Sequence, residues 1–105
     1  MSKVVVFGAS GYTGGNIARE LVARGHEVVG VARDAAKLTD PGITPLAGDL
    51  TDSDFFAKAI AGADVAVLAV HHRNPPVVEL LPDLLAVTLM AGVRLAVIGG
   101  AGSLH

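Results

Sequence analysis

Cysteine is absent from this 105-residue sequence, which excludes disulfides, thiolate catalysis and cysteine-ligated metals. Aromatic residues make up only 4% and charged residues only 17%, the net charge is −2, and the basic residues form no block. Neither a nucleic-acid footprint nor a membrane-binding face follows from such a composition. No apolar run is long enough to span a bilayer, because glycine or a charge interrupts each one. Met-Ser-Lys followed directly by an apolar run is no signal peptide, so the cytoplasm is the expected location. What the chain does have is 51% hydrophobic residues and 13 glycines. A chain of this size makes one domain, here residues 1–105, and buries roughly 60–65% of its unfolded surface in a single core.

The glycines matter most near the start. Val4-Val5-Val6-Phe7 reads as a strand buried on both faces, and it runs into Gly8-Ala9-Ser10-Gly11-Tyr12-Thr13-Gly14-Gly15 and then an amphipathic stretch. Strand, glycine-rich turn and helix is the context a phosphate-binding turn needs. The spacing is G-x-x-G-x-x-G over Gly8, Gly11 and Gly14, not the commoner G-x-G-x-x-G. The amides of the first helical turn, from about Gly11 to Gly14, have no intrahelical acceptor and carry the positive end of the helix dipole, so they suit an anionic pyrophosphate. Gly11 lets that group approach the backbone, and Gly14 lets the helix lie close to the sheet. Ser10, Tyr12 and Thr13 fall in the same turn, with the Thr13 hydroxyl in reach of a pyrophosphate oxygen.

Further along, Ile17, Ala18, Leu21 and Val22 recur at helical spacing, which predicts a helix over Tyr12 to Arg24, ended by Gly25. Glu27 to Ala32 is a second buried strand and completes a βαβ unit. Ala35 to Leu38 allows one short helical turn. Ile43 to Ala47 is a third strand, and Pro45 inside it places it at a sheet edge. Thr51 with Asp54 resembles a capping box for a helix carrying Phe55, Phe56, Ala59 and Ile60. Asp64 to Val70 is an apolar and therefore central fourth strand. Val77 to Ala91 is an apolar helix that either kinks at Pro82 or properly begins near it, with Gly92 at its end. Val93 to Ile98 is a fifth strand. This alternation predicts an α/β fold, a doubly wound, parallel, five-stranded Rossmann-type sheet of order 3-2-1-4-5, with ligands above the C-terminal ends of its strands.

Arg33 is the first charged residue at the end of the second strand. An NAD-selective site usually places Asp or Glu there for the ribose hydroxyl, whereas arginine suits the 2′-phosphate of NADP. NADP is therefore the expected cofactor, with NAD as the alternative, since Asp34 could turn to the ribose instead. His71 and His72 are accompanied by no second ligand set at metal-like spacing, so no metal is expected.

The runs VVVFGASGYTGGNIARELVARGHEVVGVARD, GDLTD and AGVRLAVIGGAGSL resemble the N-terminal part of the atypical short-chain dehydrogenase/reductases, in particular NAD(P)H-binding proteins of the flavin and biliverdin reductase and NAD-dependent epimerase type. The resemblance spans essentially the whole chain. It implies that Asp49 meets the adenine amino group and Leu50 a face of the ring. The stretch after the fourth strand, with Val70 and His71, would wall the ribose and nicotinamide, and Ser103 would donate to a substrate carbonyl. It implies an oxidoreductase, or its cofactor-binding part, passing hydride to a small conjugated or flavin-like acceptor. The alternatives are a non-enzymatic NAD(P)-sensing module, as some relatives are, and a truncated fragment that retains only the fold.

One departure bears on chemistry. The Tyr-x-x-x-Lys pair that such dehydrogenases use for proton transfer is missing, since Tyr12 is the sole tyrosine and Asn16 stands four residues on. Family members are roughly twice as long, so the chain reads as truncated after the fifth strand. That strand is then an open apolar edge, and a homo-oligomer or a partner chain is expected there.

Overall fold

The computed structural model describes residues 2–9, 12–34, 36, 38, 41–48, 52–69 and 75–97. Among these the elements follow as β1 (Lys3–Phe7), α1 (Tyr12–Ala23), β2 (Glu27–Ala32), β3 (Ile43–Ala47), α2 (Ser53–Ile60), β4 (Val65–Leu68), α3 (Pro75–Ala91) and β5 (Arg94–Val97). The strands form one sheet of order β3-β2-β1-β4-β5, and all four pairings are parallel. This is the doubly wound Rossmann-type arrangement the alternation of elements predicted.

Alternate residues of each strand supply two cores, one per face of the sheet. On one face Val4, Val6, Val28, Ile43 and Val67 meet Ala18 of α1, with Ile17, Leu21 and Val22 packed alongside. On the other, Val5, Phe7, Val31, Ala66 and Leu68 meet Phe56 and Ile60 of α2 and Leu84 of α3. The rings of Phe7 and Phe56 lie 5.0 Å apart and tilted by 33°, and both are fully buried. Full burial of a side chain of this size contributes roughly 1.5–3 kcal/mol.

Two helices end in the same way. The amides of Gly25 and His26 donate to the carbonyls of Val22 and Leu21, and those of Gly92 and Val93 to the carbonyls of Leu89 and Thr88. Each pair closes the last carbonyls of its helix around a glycine in the left-handed region, with φ +88° at Gly25 and +72° at Gly92. Both ends were legible as helix stops. Pro45 sits in the edge strand β3, opposite Gly30 of β2. β4 lies between β1 and β5, as its continuous apolar run required.

Three boundaries differ from expectation. The cap of α2 is Asp52, not Thr51: with the helix starting at Ser53, it is the Asp52 carboxylate that reaches the Phe55 amide, at 3.1 Å. α3 runs unbroken from Pro75, so it does not begin near Pro82, which lies inside it on an exposed position. Pro75 and Pro76 occupy the first turn, where no amide has an intrahelical partner and their fixed φ favours the helix. Pro82 leaves Val78 without one donor, and the buried Leu84 and Thr88 anchor the turns that follow. β4 is shorter than its apolar run, spanning Val65–Leu68, while Ile98, the expected end of β5, lies outside the described residues. Of the short turn expected over Ala35 to Leu38, only Ala36 and Leu38 are among the described residues.

Candidate functional site

Because every strand is parallel, all five end on one edge of the sheet. Phe7, Val31, Leu46, Leu68 and Val97 stand in register across it. Hydrogen bonds join the segments leaving that row. The amides of Gly8 and Ala9 both donate to the carbonyl of Val31, at 2.9 and 3.1 Å. The Gly48 amide donates to Ala32 (3.0 Å) and the Ala69 amide to Phe7 (2.9 Å). The exits of the first four strands are thereby held to one another.

Gly8 has φ +86°, a conformation costly to any residue with a Cβ, and it turns the chain upward out of β1. Its amide is taken up by Val31, so its part in the turn is conformational. Gly14 explains the glycine spacing. A Cβ there would overlap the carbonyl of Gly8 and stand 3.3 Å from the Cβ of Ala69. The start of α1 thus rests on the exits of both β1 and β4. Those two strands flank the point where the chain's direction of travel through the sheet reverses, and a ligand crevice opens there in such folds. The first-turn amides of a helix have no acceptor within it, and a helix start in such a position suits an anion.

At the neighbouring exit, Arg33 follows β2 and is exposed. Asp34 is engaged locally: its Oδ1 accepts the Ala36 amide at 3.1 Å, an Asx-type turn. Tyr12 and Thr13 form the first two residues of α1, with side chains outside the described set. Ser10, Gly11, Asp49, Leu50, Val70, His71 and Ser103 also lie outside the described residues. What the structure brings together from the predicted set is therefore Gly8, Gly14 and the backbone of Tyr12 and Thr13, with Arg33 one strand away.

Two features escaped the sequence reading. The first is the shared carbonyl of Val31, which no local pattern marks. The second is Gly48, whose absent Cβ would overlap the ring of Phe55. Phe55 carried a signal only for core, because its position in a helical period points inward.

The comparisons agree with this geometry. A family model described as NAD(P)H-binding matches residues 8–105, and the chain belongs to that family, with the Rossmann-type fold described above. A solved Burkholderia pseudomallei structure, labelled an exported protein, is 36% identical with a TM-score of 0.81, over 100% of this chain and 51% of that one. The Bordetella bronchiseptica enzyme WbmH, solved in complex with NAD+, is 30% identical with a TM-score of 0.59, over 68% of this chain and 26% of that one. A 3-beta-hydroxysteroid dehydrogenase of Mycolicibacterium neoaurum is 38% identical over 65 residues, 61% of this chain and 18% of that protein. The chain spans between 18% and 49% of the length of the first curated relatives it matches. Among the described residues no helix is long and apolar enough to cross a membrane.

Proposed function

We propose that residues 1–105 act as the NADPH-holding domain of an oxidoreductase, and that the pyrophosphate sits at the start of α1. The observation that carries this is Gly14 seated on the Gly8 carbonyl beside Ala69, which brings the start of α1 against the exits of β1 and β4 and supports an anion at the first helical turn. Gly11, Tyr12, Thr13 and Ser10 supply the rest of the phosphate turn. Bound there, the nicotinamide would supply hydride, and the protein's part is to orient it. Asp49 and Leu50 take the adenine, Val70 and His71 wall the nicotinamide side, and Ser103 donates to a substrate carbonyl. WbmH with its NAD+ supports a dinucleotide on this framework. The acceptor fits the small conjugated or flavin-like class, in the cytoplasm.

The preference for NADPH over NADH rests on Arg33. Asp34 is the competing reader of the ribose, and its carboxylate is turned into its own loop by the Ala36 amide. The loss of one charge-assisted contact to phosphate is about 1.5–3 kcal/mol, a ten- to hundredfold change in affinity. Titration by NADPH fluorescence, with NADH alongside, is the test. Arg33→Ala weakens NADPH ten- to hundredfold and leaves NADH nearly unchanged; equal losses would remove the 2′-phosphate from the reading.

A second reading is a dinucleotide-sensing module, the other class of protein that the resemblance implies. It predicts tight cofactor binding with no oxidation of NADPH by flavins or quinones, whereas the reductase reading predicts turnover. Self-association belongs to either. Among the described residues β5 has a strand neighbour on one side only, and Val97 stands exposed on it.

A further inference from the structure

We infer that Phe55 is a positioning residue for the adenosine half of the cofactor, acting through Gly48; this rests on the NAD(P)H-binding reading. The ring of Phe55 leans from the first turn of α2 onto the backbone that leaves β3. It lies so close to Gly48 that a Cβ at that position would overlap its Cζ, Cε1 and Cε2 atoms. Gly48 is not among the residues with positive φ, so glycine is required there for space and not for conformation. A ring and a bare Cα are matched to each other.

The contact is held from both sides. On the α2 side, the Asp52 side chain accepts the Phe55 amide and its carbonyl accepts the Phe56 amide at 2.9 Å, which fixes the turn that carries the ring. Phe56 is fully buried under the sheet and prevents that turn from rotating. On the sheet side, Gly48 donates to the carbonyl of Ala32, the residue before Arg33. A line of contact therefore runs from the Phe55 ring through Gly48 to the exit of β2. In a doubly wound sheet the adenosine half of a dinucleotide lies toward the β2 side of the crevice, because the residue that reads its ribose stands at the end of β2. Asp49 follows Gly48 in sequence. One aromatic ring thus bears on the backbone that is hydrogen-bonded to the residue before Arg33, a candidate reader of the adenosine half. Phe55 is only half-buried, although its neighbour Phe56 is wholly so. A ring serving the core alone would not need to lie at the sheet's binding edge.

The experiment separates positioning from packing, with ADP-ribose as probe. Phe55→Leu keeps much of the apolar volume, and Phe55→Ala removes it. ADP-ribose affinity falls about threefold in the first and about tenfold or more in the second. Gly48→Ala unfolds at lower urea than the wild type, and adding Phe55→Ala restores stability by making room for the new methyl. Affinity stays low in the double variant, because the ring is gone. A spectroscopic readout stands beside these. In protein labelled with 3-fluorophenylalanine, the fluorine resonance missing from Phe55→Leu belongs to position 55; ADP-ribose shifts it more than those of Phe7 and Phe56. Wild-type affinity in a folded Phe55→Ala protein, or recovery of affinity with stability in the double variant, overturns the inference. A wild type that binds no dinucleotide overturns the cofactor reading and this inference together.

Discussion

The two edges of the sheet are built differently. At the β3 edge Pro45 has no amide to offer a neighbouring chain, and the strand's exposed residues are Thr44, Pro45 and Ala47, all small or constrained. At the β5 edge no proline stands in the strand, and the adjoining helix α3 carries Leu85, Leu89 and Met90 on its outer side, Met90 at 90% exposure. Asp83 is the only charged residue among 82–91. Large apolar side chains exposed together are a candidate surface for self-association, which the light-scattering experiment below tests. Among the described residues, one edge strand is blunted by a proline and the other is not. The close glycine contacts at the strand exits, Gly14 on Gly8 and Phe55 on Gly48, involve the segments leaving β1 and β3.

This contrast can be tested by breaking the shared core, then the strand exits, then the β5 edge. Phe56 packs between the two halves against Phe7, and Phe56→Ala has the largest effect, a loss of about 3–5 kcal/mol in urea unfolding. If the two halves were independent, that variant would lose only α2 and α3, and unfolding would cease to be a single transition. Gly14→Val comes next. Its Cβ overlaps the Gly8 carbonyl, so α1 must move off the sheet, at a cost of about 1–3 kcal/mol by overpacking. NADPH binding is lost with it, and undiminished binding would show that α1 can shift without disturbing the phosphate turn. The smallest change in stability is expected from Leu89→Lys combined with Val97→Lys, within about 0.5 kcal/mol at each site, as is usual for exposed positions. The effect there is on assembly: light scattering reports an oligomer for the wild type and a monomer for the double variant. A monomeric wild type would mean that the β5 edge is protected by something other than self-association.

Much of this architecture is legible in the sequence alone. The strands of β1, β2 and β4 are continuous apolar runs, and such runs are buried on both faces wherever they fall. Pro45 placed β3 at an edge because a missing amide is a local fact. The glycine turn was legible for the same reason, since Gly8 and Gly25 answer to backbone dihedrals that only glycine adopts readily. The NADPH preference drawn from Arg33 depends on a single position at a strand end, and the Asx turn at Asp34 is the detail the tertiary structure added.

Other features needed the fold. Thr51 and Asp52 are both acceptable caps by residue type, and which one serves depends on where α2 begins, a matter settled by how Phe56 and Ile60 reach the core. Pro82 reads as a break from its chemistry alone. The helix continues through it because packing of Leu84 and Thr88 on one side outweighs one missing hydrogen bond on the other. Gly48 and Phe55 stand seven residues apart, and nothing in their spacing announces that a ring rests on a bare Cα; only the turn from β3 into α2 brings them together. Local propensity and periodicity are properties of a few neighbouring residues, so the sequence by itself determined the elements and their order. Contacts between elements depend on the whole packed arrangement, and it was the tertiary structure that decided the cap of α2, the length of α3, the Phe55–Gly48 contact and which apolar side chains were left facing outward.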